Sequence, residues 1–273
     1  MRADTAPESR EPLTSPDHAM KPTIAAAPYL TVACLLSCFF ASAHGQPLNF
    51  SMVAASAESF AHPHDIVLSP DGKALYVADN NNNRIVVLDP ESLQELGVFA
   101  RGEVSAPHDV VFDAKGRLLV ADTGNSRIAI YSVEGAGGQL VDSLSGRIRS
   151  PEGVAVHPDG RIFATGAGSG NLVVYRDGEV VGEAGGFSSP HDVELDPGGG
   201  VWVADAANDR MVKLNDALEV IKVLSGSPYD FNGPRYMDFD AAGRMYVADK
   251  YSHQIKIIAP DGQLIQVLGD ANS

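Results

Sequence analysis

The sequence predicts an all-β protein built from five similar four-stranded units, and three observations lead to that fold class. Proline recurs at spacings of 44, 44, 39 and 44 residues, at Pro63, Pro107, Pro151, Pro190 and Pro234. Short runs rich in Val, Ile, Leu, Tyr and Phe follow each proline, separated by turns such as Lys-Gly and Pro-Asp-Gly. None of these runs is long enough for a helix. A period near 40 residues with four strands per unit is typical of a β-propeller blade.

The runs within one unit fit this interpretation in order. In the second unit they are Val110–Phe112, Leu118–Val120 and Ile128–Ile130, each with apolar residues in succession. A sheet covered on both faces carries such continuous runs, as blades between neighbours do. Five units predict a five-bladed propeller or an incomplete six-bladed one. Residues 47–60 could add one edge strand that laces the ring shut, so the expected propeller spans 47–273.

Residues 1–43 are expected to be a cleaved signal peptide. Lys21 precedes an apolar stretch, and Ala41-Ser42-Ala43 offers the small-residue cleavage pattern, with Met20 as a possible true start. The alternative is a lipoprotein attached through Cys38, since Leu35-Leu36-Ser37-Cys38 resembles a bacterial lipobox. Either route predicts an exported protein, periplasmic or extracellular, with no membrane span in the mature chain.

Charge excludes one class of partner. The chain has 35 acidic and 20 basic residues, a formal net charge of −15. Sequence-independent nucleic-acid binding depends on neutralising phosphates with Lys and Arg, so nucleic acid is not an expected partner. We expect a monomer that binds a peptide, protein or small molecule on one face of the propeller.

The residues after each proline are the most informative feature of the sequence. Equivalent positions in successive blades surround the propeller axis, and here they hold His64, His108, Glu152, His191 and Arg235. Three imidazoles that converge with room for water form a zinc site of the catalytic type. Glu152 could then act as a base and Arg235 could hold an anionic group.

Each of the three histidines is followed by an aspartate: Asp65, Asp109 and Asp192. These carboxylates could orient the imidazoles from a second layer around the metal, or bind a harder cation such as calcium. The alternative is purely structural, because Pro-His-Asp also makes a good turn in which Asp bonds nearby amides. The sequence leaves both interpretations open.

A second recurring pattern is an Asp followed five residues later by an Arg. The pairs are Asp79 with Arg84, Asp122 with Arg127, and Asp205 with Arg210. We expect them to knit the loop after the second strand by charge-assisted hydrogen bonds. The unit Pro107–Asp113 followed by Leu119–Ile128, which carries one such pair, resembles an NHL repeat, and the resemblance extends over 63–273.

Within the NHL-type propellers the sequence has a partial resemblance to the peptidyl-α-hydroxyglycine α-amidating lyases. That resemblance implies zinc on three histidines, here His64, His108 and His191, and structural calcium. Asp249-Lys250-Tyr251 looks like the Asp-x-Tyr motif of those lyases, which implies Tyr251 as a catalytic residue beside Arg235.

Two functions follow as expectations. The first is an exported ligand- or protein-binding scaffold with a metal site on its axis. The alternative is a zinc-dependent carbon–nitrogen lyase of the amidating type, in which Tyr251 or Glu152 takes a proton and Arg235 holds the substrate carboxylate.

Overall fold

A computed structural model describes residues 52–57 and 60–269 as a five-bladed β-propeller, with each blade an antiparallel sheet of four strands. The fold class that the repeats predict is confirmed. The expected signal peptide and Cys38 lie outside the described residues, as do 44–51 and 58–59.

The strands follow one another along the chain and pair with their sequence neighbours. Blade 1 contains β1 (Pro63–Leu68), β2 (Leu75–Asp79), β3 (Arg84–Leu88) and β4 (Glu95–Phe99), and blade 2 contains β5 (Pro107–Phe112), β6 (Arg117–Asp122), β7 (Arg127–Glu134) and β8 (Gly137–Leu144). Blade 3 contains β9 (Pro151–Val156), β10 (Ile162–Gly166), β11 (Asn171–Arg176) and β12 (Glu179–Gly185). Blade 4 contains β13 (Pro190–Leu195), β14 (Val201–Asp205), β15 (Arg210–Leu214) and β16 (Val220–Ser225), and blade 5 contains β17 (Pro234–Phe239), β18 (Met245–Asp249), β19 (Gln254–Ile258) and β20 (Leu264–Leu268).

The first strand of each blade lies beside the propeller axis, where first strands of successive blades contact one another. The fourth strand lies at the rim, and its residues alternate between exposed and half-buried, as in β12. Each repeat proline opens the strand nearest the axis. The residues directly after the prolines are therefore brought around one axis, as the repeat pattern predicts.

Apolar clusters fill the four junctions between successive blades. In the first junction Ile85 and Phe99 of blade 1 pack with Leu118 and Tyr131 of blade 2. Equivalent clusters join blades 2 and 3, 3 and 4, and 4 and 5. These consecutive apolar runs are buried on both faces because each blade is covered on both sides.

The junction between blade 5 and blade 1 differs. On the blade 1 side Phe60 packs with Val77, Val86 and Leu88, and within the described chain this cluster includes no residue of blade 5. The second residue of the third strand shows the difference, because it is 0% exposed in blades 1 to 4 and 38% exposed in blade 5, as Ile255.

The expected extra edge strand is not formed by the described part of residues 47–60. Residues 52–57 have no regular secondary structure, and every described sheet has four strands. Met52 and Val53 are 86% and 63% exposed, so they do not pack on a sheet. In the described ranges no helix is long and apolar enough to cross a membrane.

Candidate metal site on the propeller axis

Three histidines from three blades converge on the axis. His64, His108 and His191 are the second residues of β1, β5 and β13. One ring nitrogen from each lies within 4.8 Å of the others. The strand pairing is irregular at the Pro-His-Asp segment of all three blades, and such bulges re-aim side chains. This explains how adjacent His and Asp residues both reach the interior.

Hydrogen bonds fix two of the rings. The Nδ1 atom of His64 lies 2.6 Å from the Tyr236 hydroxyl. The Nδ1 atom of His108 lies 3.0 Å from the Ala106 carbonyl and 2.8 Å from the Thr123 hydroxyl. Partners of this kind orient the ring and set its tautomer in metal-binding histidines. They leave Nε2 of both rings as the atom available to an ion.

His191 is the least satisfied ring. Its Nε2 lies 2.5 Å from a terminal nitrogen of Arg235, which must be the donor. A neutral ring that accepts there carries its proton on Nδ1, and that atom is buried without a partner within the described chain. An unsatisfied buried N–H costs about 1–3 kcal/mol.

All three imidazoles are held in the neutral form that binds metals. Burial, with the neighbouring His108 and Arg235 adding to it, lowers the pKa of His64 to about 4. Burial also lowers the pKa of His108, and it lowers the pKa of His191 well below its usual range together with the Arg235 charge. Neutral imidazoles keep the lone pair that a metal ligand needs.

Glu152 is the acidic member of the site. Its carboxylate lies 3.8 Å from Nε2 of His108 and 3.4 Å from Nε2 of His191. Burial raises the pKa of Glu152 to about 7, against the opposing charges of Arg235 and Lys250. Its Oε2 atom and the Nε atom of Arg235 have no hydrogen-bond partner in the described residues.

The size of the histidine cluster suits an ion after a small closure. Because the three ligand atoms lie within 4.8 Å of one another, an ion at their centre would lie at most about 2.8 Å from each. Each ring would then move by at most about 0.7 Å to reach a zinc–nitrogen distance near 2.1 Å. Arg235 must also turn away from Nε2 of His191 before that atom can bind an ion. The donor set and its buried, unpaired atoms fit a divalent metal.

The aspartates beside the histidines have another role. Asp65 accepts the Val110 amide at 3.2 Å and Asp109 accepts the Val154 amide at 2.6 Å. Asp192 accepts the Met237 amide at 2.8 Å. Each carboxylate therefore joins its blade to the next one. The hydrogen bonds to the imidazoles that the described residues show come from Tyr236, Ala106, Thr123 and Asn80, so a role of the aspartates in orienting the rings stays a prediction. A calcium site at these aspartates stays a prediction.

Tyr251 lies at the rim of the site. Its side chain is 56% exposed, and the Arg235 hydrogen bond and the Lys250 charge lower the pKa of its hydroxyl. The tyrosine that touches a histidine is Tyr236, whose pKa burial raises strongly. Sequence reasoning gave Tyr236 no role, although it occupies the ring position that holds Asp in three other blades.

The repeated Asp-Arg pairs lie outside the axial site, at the loop after the second strand. The Nε-to-carboxylate distances are 2.6 Å for Asp79 and Arg84, 2.7 Å for Asp122 and Arg127, and 2.6 Å for Asp205 and Arg210. In blade 5 the partner of Asp249 is Lys256 at 2.5 Å. Each aspartate also accepts a loop amide, such as Ser105 on Asp122. These pairs hold the loops above the strands.

Comparisons with known proteins support the fold. A family model described as Lactonase, 7-bladed beta-propeller, matches residues 45–158. A streptogramin B lyase structure superposes with a TM-score of 0.65 at 16% identity, covering 78% of this chain and 70% of that one. Virginiamycin B lyase from Staphylococcus aureus gives 0.61 at 13% identity, covering 76% and 69%. Identities this low show a shared propeller fold. No curated protein matches the sequence.

Proposed function

We propose that this propeller binds a divalent metal on its axis and uses that site to bind a small ligand or the end of a peptide. The observation that carries the proposal is the set of buried polar atoms without partners around the three histidines: Glu152 Oε2, His191 Nδ1 and Arg235 Nε. Buried polar groups in folded proteins are nearly always satisfied. Three such atoms in one place indicate that a bound group completes the site.

Ligand binding and metal binding are linked through Arg235. With no ion, its guanidinium donates to His191 Nε2. When His191 turns that lone pair to an ion, Arg235 loses its acceptor and can pair with an anionic group on a ligand, which a guanidinium binds well. A bound divalent ion would add Lewis-acid charge at the same point. Glu152 could then accept a proton from a ligand hydroxyl.

Metal content tests the proposal directly. The purified wild-type protein should carry about one zinc per chain after dialysis against zinc and then buffer, because three neutral imidazoles suffice to hold it. The His64→Ala, His108→Ala, His191→Ala triple variant should carry almost none. His157→Ala is the matched control, since His157 is a half-buried histidine paired with Asp159 in blade 3. No zinc in the wild type would refute the metal site.

A second candidate function is a carbon–nitrogen lyase of the amidating type. Its support is Glu152, a carboxylate within 4 Å of two candidate ligands. In such a step the hydroxyl of a C-terminal hydroxyglycine gives its proton to the base, a carbonyl forms, and the carbon–nitrogen bond breaks. The nitrogen then gains a proton to leave as the amide, and glyoxylate is the other product.

Glyoxylate release separates the two functions. Wild-type protein loaded with zinc should form glyoxylate from a hydroxyglycine peptide if it is a lyase, and Glu152→Gln should abolish turnover while retaining zinc. A binding scaffold should form none.

Export is a separate proposal. Mass spectrometry of the protein from its natural host should find His44 as the first residue, or a lipidated Cys38.

A further inference from the structure

The open junction beside blade 5 forms a groove with an apolar floor. Ala248, Ile255 and Leu268 line it, together with Lys250 and His253, in a cavity of about 310 Å³. In blades 1, 2 and 4 the equivalents of these three apolar residues face the next blade and lie in shared cores. In blade 3 Leu172 and Ala184 do so, and Thr165 replaces the alanine. Ile255 is instead 38% exposed. The groove is therefore an interblade surface that no blade covers within residues 60–269.

In blades 1, 2 and 4 a hydrogen bond joins the turn after the second strand to the next blade. Blade 5 shows no such bond among the described residues. Asn83, Ser126 and Asp209 each end the turn after the second strand and accept an amide of the next blade. His253 occupies this position in blade 5. Among the hydrogen bonds of the described chain, none joins its side chain to blade 1. Within the described chain, no such bond closes the groove at the end where Lys250 and His253 lie.

One edge of the groove carries the positive charge of Lys250. Lys250 and His253 stand at its edge, while Asp249 is buried and neutralised by Lys256. Lys250 begins the 3-10 turn that also holds Tyr251, and the Lys250 amide donates to the Gly233 carbonyl at 3.2 Å, two residues before Arg235. Lys250 therefore lies both at the groove and beside the start of β17, the strand that carries Arg235.

We propose that the ligand of this protein is an amphipathic organic anion, with its acidic group beside Arg235 and Lys250 and its apolar chain in the groove over Ile255. The proposal deepens the function proposed above and rests on it for the position of the acidic group. Charge complementarity supports it, because Lys250 lines the groove and Arg235 lies at the axis, and both side chains carry a positive charge. Apolar area removed from water drives the other half of binding.

The test compares two isoleucines of blade 5 by calorimetric titration with decanoate, using acetate as the short analogue. Ile255→Glu places a charge in the groove. Ile265→Glu is the control, since Ile265 is 49% exposed on the outer strand away from the groove. Wild type and Ile265→Glu should bind decanoate at least tenfold more tightly than acetate. Ile255→Glu should lose that advantage, and Ile255→Ala, which introduces no charge, should lose part of it.

Each titration is repeated with zinc-loaded and zinc-free protein, so that the two proposals can fail separately. Loss of the decanoate advantage only in Ile255 variants supports the groove even if the wild type holds no zinc. Equal decanoate binding by Ile255→Glu and Ile265→Glu overturns the groove, whatever the zinc content. Lys250→Gln should weaken both decanoate and acetate by several-fold, because it removes the charge that both share.

Discussion

Histidine and aspartate are adjacent in three blades, yet the two rings of side chains that they form differ in how well their hydrogen bonds are satisfied. The aspartates Asp65, Asp109 and Asp192 each accept a backbone amide of the next blade. In the histidine ring, His191 and its neighbours Glu152 and Arg235 keep buried atoms without partners. The aspartates join successive blades, whereas the residues around the histidines keep unsatisfied polar atoms, which is the basis of the proposed binding site.

The lesson is that one repeated motif can contain both a structural and a functional position. A sequence repeat marks both equally, because each recurs at the same place in the blade. Only the hydrogen-bond partners separate them. Buried polar groups with hydrogen-bond partners indicate a structural role, and buried polar groups without partners mark a candidate binding site.

The largest expected effect falls on the aspartate ring. Asp192→Ala leaves the Val193 and Met237 amides without their buried acceptor, so the free energy of unfolding should fall by about 2–4 kcal/mol. Asp192→Asn keeps an acceptor oxygen and should lose less. Urea denaturation measures both. Equal stability of wild type and Asp192→Ala would mean that the aspartates do not join the blades.

Blade 3 has Gly153 where three other blades have the Asp of the Pro-His-Asp motif, and the reason is steric. The expected effect of a substitution there on the free energy of unfolding is smaller. A Cβ atom at Gly153 would lie 2.7 Å from the Asp192 Cα and from the Val193 nitrogen, both backbone atoms. Gly153→Ala should therefore lower the free energy of unfolding by about 1–3 kcal/mol, as overpacked cores do. Gly160→Ala is a poor control because its φ is +88°. Gly185→Ala is better, since a Cβ there meets nothing within 4 Å. A Gly153→Ala protein as stable as Gly185→Ala would contradict this reason.

The smallest effect concerns pH. Burial raises the pKa of Asp238 to about 6, so between pH ~4 and ~6 the folded chain keeps a proton that the unfolded chain has released. The stability that the protonated Asp238 carboxyl contributes is fully present below its pKa in the unfolded chain. It is lost as pH rises through its pKa in the folded chain. As pH rises from ~4 to ~7.5, the free energy of unfolding should therefore fall by about 1 kcal/mol less in Asp238→Asn than in wild type, after allowance for the partial exposure of the side chain. Parallel pH profiles in urea would contradict this assignment.

The sequence predicted the propeller and the convergence of the three histidines, because both follow from the spacing of the repeats. Tyr236 was missed, since it replaces Asp at one ring position and no motif marks it. The partner of Asp249 was missed, because Lys256 lies seven residues after it and the repeated pairs are five residues apart. The exposure of Ile255 was not predictable, because an apolar residue also stands at this position in the other four blades, where it is 0% exposed.

Thermal unfolding with and without zinc tests most directly whether the histidines bind a metal and the aspartates do not. It compares wild type with variants of the adjacent residues His108 and Asp109. At a hundredfold excess over Kd, bound zinc should stabilise wild type by about 2.7 kcal/mol, a rise in Tm of roughly 5–10 °C. Asp109→Asn should show the same rise. His108→Gln should show none. A full zinc-dependent rise in His108→Gln, or its absence in wild type, would contradict the account.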